Sequence, residues 1–169
     1  MVVKIPYGAA AQALDTNGAS AELLCADVAV PAGGEVGIDI VRRAMQTPVA
    51  SPPLWQLAQG KENATLIISD HTRPVPSRDI LPPMLQELRR GNPQIDITLL
   101  VATGFHRPST EKELRDKLGD EIYDNEHIVI HHSERDDEMA EIGVLPSGAP
   151  LVINKVAAET QLLISEGFI

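Results

Sequence analysis

Thr65-Leu66-Ile67-Ile68-Ser69-Asp70-His71-Thr72-Arg73-Pro74-Val75-Pro76-Ser77 is the stretch whose reading decides the fold. Its first five residues, Thr65–Ser69, are an apolar, β-branched run that reads as a buried strand. The next eight pack an acid, an imidazole, hydroxyls, a guanidinium and two prolines into a polar loop. Ile80, Leu81, Met84, Leu85 and Leu88 then recur at helical spacing. Strand, polar loop and helix form the unit of an open α/β sheet, and such sheets place ligand sites at the carboxyl ends of their strands.

The same unit repeats downstream. Ile95 to Thr103 is almost continuously apolar, as a strand covered on both faces should be. A second polar cluster follows, Thr103-Gly104-Phe105-His106-Arg107-Pro108-Ser109-Thr110. Two such clusters at equivalent strand ends predict one shared site. Thr110 and Glu113 match a capping box, so a helix starts there and runs to about Leu118, with Gly119 closing it. Ile128–His131 reads as a third strand, Val144 to Ile153 as a hairpin around Pro146–Pro150, and Asn154 to Thr160 as a short helix. Gln161 to Ser165 reads as a last strand. Ser77 reads as the N-cap of the first of these helices, and Arg89-Arg90-Gly91 as its end, with Gly91 at C′. Pro82 and Pro83 then require that helix to start late or to bend in its first turn.

Upstream, residues 1–40 are β-like and turn-rich. Val2 to Ile5 and the weaker Glu22 to Val30 read as strands, with Gly8 and Asn17-Gly18 as turn signals. Val36 to Gln46 is helical in character, and Leu54, Trp55 and Leu57 lie on a short helix. The expectation is an α/β fold: a mostly parallel Rossmann-like sheet with flanking helices and a β-rich N-terminal annex.

Composition narrows the function. At 169 residues and 43% hydrophobic content the chain can bury a sizeable core, and with only 3% aromatics that core is aliphatic. A formal net charge of −10 argues against nonspecific binding to nucleic acid or anionic membrane. Arg73, Arg78 and Arg107 stand out against that acidic background, in or beside the two clusters, where they could hold an anion. Cys25 is the single cysteine, so no intrachain disulfide forms, and its neighbours suggest a buried apolar residue. No signal peptide and no span of membrane length is seen, so a cytoplasmic setting is expected.

Among the candidate groups, Arg73 suits bidentate contact with a carboxylate or phosphate; alternatively it pairs with Asp70, Asp79 or a helix carboxylate. Asp70 could accept a ligand hydroxyl, orient Arg73 or His71, or cap its own turn. Thr72 and Ser77 could donate to phosphate oxygens at a helix N-terminus. His106 is the best general acid/base, although a loop histidine is often only surface. His127, His131 and His132 are poorly spaced for a metal, and the last two would point to opposite faces of a strand. No P-loop, dinucleotide fingerprint or nucleophile elbow is present, which disfavours an ordinary NAD enzyme or α/β hydrolase.

Ser69–Ser77 together with Thr103–Thr110 resembles the N-terminal domain of the nickel-dependent lactate racemase family, and Ile5-Pro6-Tyr7-Gly8 is similar too. Phe105 occupies the variable position of the second motif. The resemblance implies that residues 1–169 form the cofactor- and substrate-binding half of a two-domain enzyme whose C-terminal domain is absent here. It implies a nickel-pincer nucleotide, a pyridinium bisthiocarboxylate mononucleotide that holds nickel. Asp70, His71, Thr72 and Arg73 would contact that cofactor, and Arg73 would also face the substrate carboxylate. His106 would be one of two histidines that take and return the substrate hydroxyl proton during proton-coupled hydride transfer on a 2-hydroxy acid. The second histidine, the cofactor-bonding lysine and the nickel-ligating histidine belong further along the family pattern. The isolated chain is therefore expected to be inactive and to bind cofactor weakly, and no metal ligand is assigned within it. Two other readings stay open: a stand-alone anion- or nucleotide-binding module without catalysis, and an unrelated α/β enzyme with His106 as general base.

Overall fold

Seven residues, none of them exposed, build the central strand. In the computed structural model, which describes residues 1–22, 24 and 37–167, β3 (Asn63–Ser69) buries Ala64, Leu66 and Ile68 on one face. It pairs in parallel with β4 (Asp96–Ala102), which buries Ile97, Leu99 and Val101 on the same face. β5 (His127–Ile130) adds to β4, and β8 (Leu163–Ser165) adds to the other edge of β3, giving the order β5-β4-β3-β8 with every pair parallel. The mostly parallel α/β sheet read from the sequence is what forms.

Between these strands run α3 (Ser77–Gly91), then α4 (Glu111–Leu118) and α5 (Asp120–Asn125). Leu81, Leu85 and Leu88 of α3, with Leu114, Leu118 and Ile122, close over the buried face as one aliphatic cluster. Burying each such leucine is worth about 1.5–3 kcal/mol. The steps from β3 to β4 to β5 advance in one direction, so right-handed crossovers keep these helices on one face. The return to β8 runs the other way, through β6 (Met139–Val144), β7 (Pro150–Asn154) and α6 (Lys155–Ala158). It therefore belongs on the opposite face, where the Thr65 hydroxyl donates to the Val156 carbonyl. The direction of winding reverses at β3, which puts the switch point of the sheet at the carboxyl ends of β3 and β8.

Several local readings are corrected. Ser77 is not an N-cap: Pro76 holds that position without a side-chain bond, and Ser77 is the first residue of α3. The helix neither starts late nor ends at a left-handed glycine. Pro82 and Pro83 lie inside it, and Asn92 is its C-cap. Gly91 is there for closeness instead, because a Cβ on it would stand 2.1 Å from the Trp55 carbonyl oxygen of α2 (Leu54–Ala58). The third strand stops at Ile130, short of His131. Helix α5 was not anticipated, whereas the Thr110–Glu113 capping box forms as read.

The chain divides into two compact units, Met1–Gly34 and Glu35–Ile169. In the first, β1 (Val2–Tyr7) pairs antiparallel with β2 (Ala10–Asp15). Gly8, at φ +59°, makes the two-residue turn between them. The sequence of β2 is alanine-rich and hid its strand character until β1 supplied a partner. In the second unit, α1 spans Gly37–Gln46. Most of the Glu22–Val30 strand, Cys25 and Val36 lie outside the described residues.

Candidate functional site

Asp70 is the first residue past β3 and is only 1% exposed. A carboxylate can be buried that deeply only if its oxygens are satisfied. Oδ1 accepts from the Thr72 backbone N–H at 3.1 Å and from the Thr72 hydroxyl at 2.6 Å. Oδ2 meets His106 Nδ1 at 2.6 Å. Burial alone would raise this carboxyl's pKa, but the Thr72 and His106 hydrogen bonds outweigh it and hold the group below its ordinary value. Asp70 is therefore an acceptor only, so Nδ1 of His106 carries the proton. In the neutral imidazole Nε2 is then left with a free lone pair.

The two polar loops meet, as their equivalent placement predicted. Besides the Asp70–His106 contact, His71 Nδ1 lies 2.9 Å from the Ser109 hydroxyl, and the Thr72 hydroxyl is 3.5 Å from His106 Nδ1. Asp70 orients His106, rather than Arg73 or His71. The two ends of α4's first turn are tied in as well. Arg107 forks onto Glu113 at 2.6 and 2.8 Å, so it is not available for an anion. Arg107 and the Thr110 N–H hold the Glu113 carboxyl far below the usual carboxylate range.

Arg73 is exposed, and its guanidinium has no ion pair or hydrogen bond among the described residues. It lines a cleft of about 610 Å³ with His71, Ser77, Arg78, Glu113 and Lys117. His106 borders a separate, smaller hollow of about 240 Å³, together with Phe105, which is 94% exposed, His131 and His132. Those two histidines have local partners, Asn154 at 3.2 Å and Glu138 at 3.3 Å, while His127 faces Thr98.

Sequence reasoning missed Lys117 and Glu166. The Lys117 ammonium donates to the Arg73 carbonyl at 3.3 Å. Burial pushes its pKa down, against the opposing charges of Glu166 and Asp70. Glu166 follows β8, and its Oε1 accepts from the Ser77 hydroxyl at 2.6 Å. Both could have been found: Lys117 is one turn after Glu113 on the same helix face, and Glu166 ends a parallel strand. Two buried side-chain atoms among the described residues have no hydrogen-bond partner, Ser69 Oγ and Glu166 Oε2. Ser69 ends β3 and Glu166 directly follows β8, the two strands of the switch point.

Comparison with known proteins identifies the family. The lactate racemase N-terminal domain family matches residues 8–169. A lactate racemase of Lactiplantibacillus plantarum is 54% identical over 131 residues, which are 78% of this chain and 31% of that protein. A lactate racemase of Thermoanaerobacterium thermosaccharolyticum is 49% identical over the same shares. The structure of the lactate racemase apoprotein from the latter organism superposes with a TM-score of 0.84 at 41% identity, covering 100% of this chain and 39% of that one. A Thermotoga maritima protein superposes over 76% of this chain and 32% of its own with a TM-score of 0.55 at 14% identity, a likeness of fold alone. This chain thus spans about a third of the length of the curated relatives it matches.

Proposed function

The chain belongs to the lactate racemase N-terminal domain family, and from that premise we propose that it is the cofactor- and substrate-binding half of an isomerase that racemises or epimerises a 2-hydroxy acid. A C-terminal domain would complete the site. The observation that carries this reading is the Asp70–His106 pair, in which Asp70 shares its loop with Arg73, whose guanidinium has no partner among the described residues.

Each residue has a role that its surroundings support. Asp70 fixes the ring of His106 and keeps the proton on Nδ1, so Nε2 is the atom that takes the hydroxyl proton of the substrate and returns it. The Arg73 fork receives the substrate carboxylate in a bidentate grip. Thr72 has committed its hydroxyl to Asp70, and therefore acts on a ligand mainly by holding the carboxylate in place. His71, fixed by Ser109, and Arg73 are the members of the first motif that line the cleft.

The residues fit a nickel-pincer nucleotide. Free cationic donors face the cleft, and the orphaned atoms of Ser69 and Glu166 mark the ends of β3 and β8 as a place where buried polar groups await a partner. When bound, that cofactor would accept the hydride from the substrate Cα and give it back. His71 and Arg73 would hold it, with Thr72 acting through Asp70 and Asp70 through His106. The resemblance assigns the nickel-ligating histidine, the bonding lysine and the second catalytic histidine to the C-terminal domain.

The test is steady-state kinetics on the full-length enzyme. His106→Ala should lower lactate racemisation about 10²–10⁴-fold while the cofactor stays bound, as its absorbance reports. Arg73→Lys should raise KM and lower kcat together, because an ammonium cannot reproduce the fork. Near-normal constants in both variants would remove the catalytic assignment.

A further inference from the structure

We propose that Phe105 selects the side chain of the substrate, and that the hollow beside His106 receives that side chain when it is uncharged and longer than a methyl group. The proposal rests on the hydroxy-acid reading above and adds to it the substituent that this half of the enzyme accepts.

The argument starts from an aromatic ring that nothing covers. The chain has only two Phe, two Tyr and one Trp. The Trp55 ring is stacked by Arg90 and the Tyr123 ring by Arg115, at 4.8 and 4.2 Å from their centroids. Phe105 has no such cover and is 94% exposed, in the middle of a polar loop. An apolar ring left in water is unfavourable, and a ligand group that covers it gains from the burial.

The ring is displayed by a fixed corner. The His106 N–H donates to the Thr103 carbonyl at 2.9 Å and closes a four-residue turn with Gly104 and Phe105 at its corners. Gly104 takes φ +56°, a conformation that such a first corner leaves mainly to glycine. The buried Thr103 hydroxyl donates to the His131 carbonyl at 2.5 Å, and Asp70 holds the His106 ring. Phe105 therefore stands beside the general base at a set position.

The hollow of about 240 Å³ lies between this turn and the segment from His131 to Glu134. Its walls are firm, because His131 is held by Asn154 and His132 by Glu138. The volume falls short of that of whole small-molecule sites, about 300–1,000 Å³, and suits a single substituent. A methyl group fills little of it. Arg107, also at the wall, is engaged by Glu113. Glu134 has no cation paired with it among the described residues. The charge left open there is negative, so a second carboxylate on the substrate is repelled.

Stereochemistry gives the direction. Cα of a 2-hydroxy acid carries a carboxylate, a hydroxyl, a hydrogen and a side chain. The carboxylate goes to Arg73 and the hydroxyl to His106, and the hydrogen is the group that leaves and returns. The side chain is what remains. It must lie near His106 without occupying the Arg73 cleft, and the separate hollow meets both conditions.

Steady-state kinetics of the full-length enzyme with lactate, 2-hydroxybutyrate, 2-hydroxyhexanoate and malate test this. For malate, kcat/KM should lie at least about tenfold below that for 2-hydroxybutyrate. Phe105→Ala should lower kcat/KM for 2-hydroxyhexanoate about tenfold more than for lactate, chiefly through KM. Phe105→Leu keeps apolar bulk at the corner, and its ratio of the two acids should stay within about threefold of the unmodified enzyme's. Glu134→Gln should raise kcat/KM for malate relative to lactate about threefold at low salt. A Phe105→Ala effect equal for all four acids, or no effect, would overturn the proposal, and the racemase reading would still stand if His106→Ala abolishes turnover. Failure of the unmodified enzyme to racemise any of the four acids would overturn both.

Discussion

Asp70 shows how much a single residue depends on its surroundings. Its carboxyl is held below the ordinary value by Thr72 and His106 against the pull of burial. The folded chain therefore gives up this proton more readily than the unfolded one. The stability that results is complete above the unfolded carboxyl pKa, about 3.9, and is lost as pH falls through the lowered folded value. Thr72→Val removes one of the three hydrogen bonds and leaves the others, so the folded pKa rises back toward normal. Acid unfolding followed by circular dichroism should then begin at higher pH, with about 1 kcal/mol less stability at neutral pH. An unchanged acid midpoint would mean that His106 and the Thr72 N–H suffice. The sequence named Asp70, Thr72 and His106 but not their pairing, because residues 36 apart meet only when two loops are brought together by neighbouring strands. The position of Lys117, one turn after Glu113, was legible, but its acceptor, the Arg73 carbonyl on another loop, was not.

Elements whose signals are local were read correctly, and those that answer to a distant neighbour were not. The capping box at Thr110 and Glu113 needs only residues three apart, and both of its reciprocal bonds form. Thr110→Ala should cost about 1 kcal/mol in a denaturant titration, and Thr110→Ser almost nothing. Ser77 carries the usual residue type of an N-cap, yet its hydroxyl goes to Glu166, 89 residues away. Gly91 resembles a helix-ending glycine but is in fact the place where α3 presses on the backbone of α2. Gly91→Ala improves helix propensity, so a purely local view predicts stabilisation by about 1 kcal/mol. The 2.1 Å approach to the Trp55 carbonyl predicts the reverse, a loss of about 1–3 kcal/mol from overpacking. Equilibrium unfolding in urea decides between them by the sign of the midpoint shift.

At the scale of the whole molecule, the sheet is closed at one edge by its shortest strand. β8 has three residues and joins β3 across about a hundred positions of chain. Its backbone is held at one end by Thr65 N–H to the Leu162 carbonyl and at the other by Glu166 N–H to the Ile67 carbonyl, each about 3 Å. So short a parallel strand has little stability of its own, and pairing over that separation must offset a large loop-closure entropy. Ser77 supplies a side-chain tie from α3 to Glu166, just past β8, where the candidate site lies. Ser77→Ala leaves the Glu166 carboxylate half-buried with one oxygen already orphaned and the other newly so. The expected loss is local. Amide hydrogen exchange at Glu166 should quicken about tenfold or more, for about 1–3 kcal/mol of lost tethering. Exchange at His131, whose N–H bonds the Val101 carbonyl beside β4 and β5, should not change. Equal acceleration at both amides would mean that the bond supports the entire sheet, and that β8 is not a separately tethered edge. The local outcome would make the carboxyl end of β8 the movable side of the switch point, held to α3 by the bond from Ser77 to Glu166.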